Sequence, residues 1–123
     1  MPGAERGVAS QSAPAVGVVA SVGALPVDLV GSNVDFAVGC TYKYLNGGPG
    51  APAFIYVRPG LQESARPALS GWLGHEAPFA FDLDSRPTGG VERMRVGTPP
   101  VSQMAVLDAA LEELRGLDRE LHR

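Results

Sequence analysis

Lys43 is the only lysine in the chain, the other nine basic residues being arginine, so it is not one of a pool of interchangeable surface charges. It follows an apolar, partly β-branched run, Val34-Asp35-Phe36-Ala37-Val38-Gly39-Cys40, of the kind that forms a buried strand. An amine at the end of a buried strand is a candidate nucleophile, because desolvation disfavours the ammonium form and only the free amine attacks a carbonyl to give a Schiff base. A lysine that snorkels to water from a strand end fits the same spacing. Trp72, the only tryptophan, stands among small residues in Ser70-Gly71-Trp72-Leu73-Gly74-His75. It lies away from any periodic element, a placement that suits recognition as well as core packing. His75 is of the type that exchanges protons in active sites, with a structural or substrate-pocket role the expected use.

Several elements must position these residues. Residues 1–14 are small, polar and aperiodic and read as a disordered tail, leaving 15–123 as one domain. Val16-Gly17-Val18-Val19-Ala20 predicts a short buried strand, and Val34 to Thr41 a second. Tyr42 to Asn46 forms a turn at the carboxyl end of the second strand, where open α/β sheets place ligands. Gly47, Gly48 and Gly50 around Pro49 give a tight connection to a third strand, Ala53-Phe54-Ile55-Tyr56-Val57. They do not form a Gly-x-x-x-x-Gly-Lys phosphate loop. Residues 61–90 are rich in Pro, Gly and charge, and so long an irregular segment is functional or disordered. Gly90 to Val96 alternates imperfectly and predicts an edge strand. Thr98, ahead of Pro99 and Pro100, is placed as the N-cap of a helix whose stripe is Met104, Leu107, Leu111, Leu114 and Leu121.

Composition limits the classes of function. At 123 residues the chain is at most one domain with a modest core. Its 13 acids and 10 bases give a formal charge of −3 without a basic cluster, so nothing suggests a nucleic-acid or anionic-membrane footprint. No run of 18 apolar residues predicts a membrane span, and no basic-then-apolar start predicts a signal peptide, leaving the cytoplasm as the expectation. A single cysteine makes no internal disulfide, and Cys40 with His75 and His122 offers no zinc-ligand spacing.

The segment Asp35 to Phe54, with Cys40-Thr41-Tyr42-Lys43-Tyr44-Leu45-Asn46-Gly47-Gly48-Pro49-Gly50 at its centre, resembles the cofactor-lysine segment of kynureninase. That family is pyridoxal-phosphate (PLP)-dependent, of fold type I and the class V aminotransferase superfamily. The resemblance continues through Leu69 to His75, Pro78 to Asp82 and Val96 to Val101, over roughly residues 21–115. Trp72 lies 29 positions and Thr98 55 positions after Lys43, at the family's spacing. The resemblance implies an α/β fold: part of the large domain of a PLP fold type I enzyme, with mostly parallel strands, a long loop and a C-terminal amphipathic helix. It implies that Lys43 carries pyridoxal 5'-phosphate and moves the substrate α-proton. It implies further that Tyr42 contacts the phosphate and donates a proton during cleavage, and that Trp72 and Thr98 bind the phosphate of the partner subunit in a homodimer. The implied reaction is hydrolysis of L-kynurenine or 3-hydroxykynurenine, the former giving anthranilate and L-alanine in tryptophan catabolism that feeds NAD biosynthesis.

Two positions depart from the family pattern. Where the family has Asp-Leu-Ala-His before Ser-Ala-Gly-Ala-Leu-Pro-Val-Asp-Leu, this chain has Gly17-Val18-Val19-Ala20 before Ser21. The family Asp pairs with the pyridine nitrogen of the cofactor and the His lies beside the ring. Losing the carboxylate removes the group that keeps the ring an electron acceptor. One account is that the likeness starts only near Ser21. Much of the family's large domain and most of its C-terminal domain have no counterpart here, so the chain reads as a central fragment, expected to be weakly stable and poorly active alone. Three readings follow: a kynureninase fragment, another PLP enzyme of the superfamily such as a desulfurase or lyase, or a non-catalytic remnant that binds a full-length partner through the Trp72 loop.

Overall fold

The computed structural model describes residues 14–121, with side chains as far as Leu117. The predicted tail therefore lies outside the described residues except for Pro14. Three short strands form one sheet in the order β1-β2-β3: β1 is Val16–Val19, β2 Phe36–Cys40 and β3 Ala53–Val57. All three are built from β-branched, aromatic and small residues, which suit a pleated surface. The second strand is shorter than predicted because Asp35 is used as a clasp. Its carboxylate accepts a hydrogen bond from Ala15 N–H at 2.9 Å and pairs with Arg58 at 2.6 Å, tying together the starts of β1 and β2 and the exit from β3.

β1 and β2 are parallel, whereas β2 and β3 are antiparallel. The expectation of mostly parallel strands is corrected to a mixed sheet. Residues 20–35 make the crossover that a parallel pair requires, but residues 41–52 contain no helix and return the chain directly alongside β2.

The register puts Gly17, Val19, Ala37, Gly39, Phe54 and Tyr56 on one face of the sheet. Ala37 is fully buried there, and the Phe54 ring occupies the space a Cβ on Gly39 would need. The opposite face carries Val16, Val18, Val38 and Ile55, all exposed, with Val18 80% accessible. The described core is correspondingly small, with Val19, Ala37, Val57 and Ala65 as its buried apolar residues.

After β3 the chain runs through 3-10 turns at Pro59–Leu61, Trp72–Gly74 and Gly90–Met94. The last of these replaces the predicted edge strand, and the reason is tertiary. Gly90 takes φ +64°, its N–H donates to Glu63 Oε1 at 2.6 Å, and the Arg93 guanidinium folds back on Gly90 O and Glu63. An extended conformation would break all three contacts.

The helix α1 is Val101–Leu121. Thr98 is not its N-cap: the first helical hydrogen bond runs from Met104 N–H to Pro100 O, which moves the start two residues on. Each proline disfavours the α conformation in the residue before it, so Thr98 and Pro99 cannot join the helix. Gln103, Leu107, Ala110, Leu111 and Leu114 form its half-buried face, while the predicted stripe member Met104 is exposed. The side chain of Leu121 lies outside the described residues. No helix among the described residues is long and apolar enough to cross a membrane.

Candidate active site

Lys43 sits in a closed turn at the carboxyl end of β2. Gly47 N–H donates to Thr41 O at 2.9 Å and Asn46 N–H to Lys43 O at 2.9 Å, while the buried Thr41 hydroxyl donates to Pro52 O. The turn reverses through Asn46 at φ 56°, a conformation that asparagine tolerates better than most residues. These backbone bonds fix Cα of Lys43 without using its side chain. The side chain is exposed, so the buried surroundings expected for the amine are not present. Its Nζ lies 5.7 Å from the centre of the Tyr42 ring, at the outer limit of a cation–π contact.

Lys43 and Tyr44 form one side of an open cleft of about 550 Å³, and Ala20 and Ser21 form the other. The cleft lies at the adjoining carboxyl ends of β1 and β2, where parallel strands and their loops leave room for a ligand. Gly23 sets its width. At φ +91° it turns the 20–25 segment back, and a Cβ there would stand 2.8 Å from Tyr44 O, so only glycine lets the two walls approach this closely. Ser21 O accepts hydrogen bonds from Ala24 N–H and Leu25 N–H, which hold that turn.

Trp72 lies elsewhere, beside a second cavity of about 430 Å³ that His75, Phe81 and Asp82 also line. It is 44% exposed and makes an edge-on contact with Phe79, ring centres 5.6 Å apart. Gly71 places the Trp72–Gly74 turn against the strand-like exit from Gly90–Met94: a Cβ at Gly71 would fall 1.6 Å from Val96 O. Beneath, Arg93 is 5% accessible and donates to Gly90 O, Glu63 O and Glu63 Oε2. Thr98 is exposed on the link to α1 and lines neither cavity. Within one chain, then, Lys43 and Tyr42 come together, while Trp72 and Thr98 stand apart from them.

Sequence reasoning did not single out Ser21 or Tyr44 as cleft residues. The signal for Ser21 was its position directly after a strand end, and for Tyr44 its place in the lysine turn. Gly17 lies on the inner face of β1, with a built Cβ in ordinary contact with Val34 and Ala37 at 3.6 and 3.8 Å. Ala20 offers the cleft only a methyl group. The donor set suits a carbonyl compound that reacts with an amine, and Lys43 Nζ is open to it. The cleft residues supply no carboxylate for a pyridine nitrogen.

A family model described as Aminotransferase class-V matches residues 10–121. The chain belongs to the class-V aminotransferase family. The match begins ahead of Ser21, so β1, with Gly17 and Ala20, falls inside the family region and is not unrelated sequence. The kynureninase of Deinococcus radiodurans is 50% identical over 98 residues, covering 80% of this chain and 24% of that protein. Among solved structures, the apo cysteine desulfurase of Thermococcus onnurineus NA1 superposes with a TM-score of 0.65 at 25% identity, over 85% of this chain and 26% of that one. A C-DES variant with glycine covalently linked to its PLP cofactor gives 0.56 at 25% identity, over 77% and 24%. The chain spans about a quarter of the length of the curated relatives it matches.

Proposed function

We propose that this chain is the cofactor-lysine part of a kynureninase, a PLP-dependent enzyme that hydrolyses the β,γ carbon–carbon bond of L-kynurenine or 3-hydroxykynurenine. The observation that carries the proposal is Lys43, the sole lysine, held by backbone hydrogen bonds with its amine open to the cleft between β1 and β2. Identity of 50% to a kynureninase, against 25% to the desulfurase and to C-DES, supports this substrate class over the sulfur chemistries.

Lys43 would hold PLP covalently through Nζ, with Ser21 and Tyr44 bounding the cleft. When bound, PLP supplies the electron sink for charge developing on the substrate α-carbon. Lys43 Nζ would also take and return the substrate α-proton. Tyr42, next in the chain and with its ring near Nζ, serves the phosphate and gives a proton during cleavage. Trp72 and Thr98 serve the phosphate of a second subunit in a homodimer, which accords with their distance from the cleft of their own chain. The reading also takes 15–123 as part of a PLP-dependent large domain behind a tail of residues 1–14, in a cytoplasmic enzyme of tryptophan catabolism.

A second reading is favoured by Gly17 and Ala20: a non-catalytic member that retains the lysine turn. The two are separated by incubating the PLP-treated chain with L-kynurenine and measuring anthranilate. Turnover that disappears in Lys43→Ala supports the enzyme. Covalent PLP on Lys43 without anthranilate supports the non-catalytic reading, and absence of both contradicts each of them.

A further inference from the structure

The segment 72–88 is a self-contained loop. Its arms are joined by hydrogen bonds from Glu76 N–H to Arg86 O and from Thr88 N–H to Gly74 O, both 2.9 Å, with an antiparallel bridge between His75 and Pro87. The His75 ring lies inside it and uses both nitrogens. Nδ1 accepts from Ala77 N–H at 2.9 Å, and Nε2 is 3.2 Å from Asp84 O. An acceptor at Nδ1 places the ring proton on Nε2, which donates to the Asp84 carbonyl, so one neutral tautomer satisfies both contacts and the other satisfies neither. The two contacts grip the ends of residues 77–84, the stretch that carries Phe79 and Phe81. Phe79 is the aromatic partner of Trp72, and Phe81, at φ 53°, forms part of the wall of the Trp72 cavity.

We propose that His75 is a positioning residue, a two-ended clasp in the Nε2–H form that shapes residues 77–84 and through them sets the place of Trp72. The inference stands on the loop geometry alone and needs no cofactor. Its role is distinct from that of the Arg86 ion pairs with Glu76 and Asp82, which brace the same loop from its exposed outer side.

The test uses the full chain, with amide exchange at Ala77 measured by NMR and acrylamide quenching of Trp72, the only tryptophan. His75→Phe keeps a ring but neither hydrogen bond, and is expected to speed Ala77 exchange by about tenfold and to raise quenching. In His75→Asn the side-chain oxygen takes the place of Nδ1, and Ala77 protection is expected to return. In His75→Gln, whose amide stands one carbon farther out, at the place of Nε2 and away from the Ala77 amide, it is not. Unchanged exchange and quenching in His75→Phe would reduce the ring to a filler and overturn the proposal. If His75→Phe does not fold, the order of protection between the Asn and Gln variants decides, and protection in Gln above Asn overturns it. An Ala77 amide that exchanges in the native chain at the unstructured rate overturns it as well.

Discussion

At the residue scale, the proposed chemistry rests on one amine and on one missing carboxylate. Lys43 is held at its backbone and free at its tip, which suits a covalent anchor that must later swing away. Gly17 is the converse, a position where the resemblance asks for an acid and the chain supplies none. A Cβ there meets only ordinary contacts, the nearest at 3.6 Å, so the backbone at Gly17 accepts the first carbon of a side chain. Gly17→Asp is therefore expected to fold and, in the PLP-treated chain, to raise the rate of anthranilate release by at least about tenfold, as expected for a carboxylate that sustains the electron sink. An unchanged rate in a folded variant would separate Gly17 from the cofactor. Gly23 makes a simpler claim. Alanine there must take φ +91° and crowd Tyr44 O, and Gly23→Ala is expected to cost about 2 kcal/mol in urea denaturation.

At the scale of elements, the turns that follow β3 are held by polar contacts more than by apolar burial. Arg93 links the 3-10 turn at Gly90–Met94 to Glu63 and Ala65, and the Trp72 turn packs on that platform through Gly71. Arg93→Ala removes the side-chain donor of the Gly90 carbonyl and one of the two donors, the other being Arg66, of the Glu63 and Ala65 carbonyls, and is expected to lose about 2 kcal/mol in denaturation followed by Trp72 fluorescence. The Glu63 partner is largely exposed, so Glu63→Gln is expected to cost less, about 1 kcal/mol. The Arg86 pairs are of another kind. Hydrogen bonding to Glu76 and then to Asp82 raises the guanidinium above its ordinary value. A raised basic group gives stability that is present below its unfolded value and lost only above its folded one, so Arg86 adds no pH dependence in the neutral range.

Sequence legibility also divides by element. The three strands were readable because Val16–Val19, Phe36–Cys40 and Ala53–Val57 carry β-forming residues bounded by glycine, proline and polar turns. The direction of β3, which depends on how 41–52 closes, was not readable, nor was the 3-10 turn at Gly90, which depends on Glu63, 27 residues away. The turn that follows β2 was legible as a turn from its asparagine, glycines and proline. The exposure of Lys43 was not, because burial of a side chain depends on what packs over it and not on the strand that precedes it.

At the scale of the whole molecule, one face of the sheet is covered and the other presents Val16, Val18, Val38 and Ile55 to water. A described core of four buried apolar residues offers little hydrophobic stabilisation to set against the conformational entropy of ordering the chain. The purified chain is expected to bind an apolar dye in the native state and to unfold over a broad temperature range, measured by dye fluorescence and calorimetry. Val18→Lys is expected to reduce dye binding without lowering stability, because that side chain is already exposed. A sharp calorimetric transition without dye binding would contradict this account of the sheet.

The central claim is that Lys43 is the cofactor anchor. The most direct measurement is a PLP titration of the chain followed by borohydride reduction and mass mapping of the modified residue. The account predicts saturable labelling at Lys43 that is lost in Lys43→Ala while the circular dichroism spectrum is kept. A label carried by another amine, or no label on a folded chain, would contradict it.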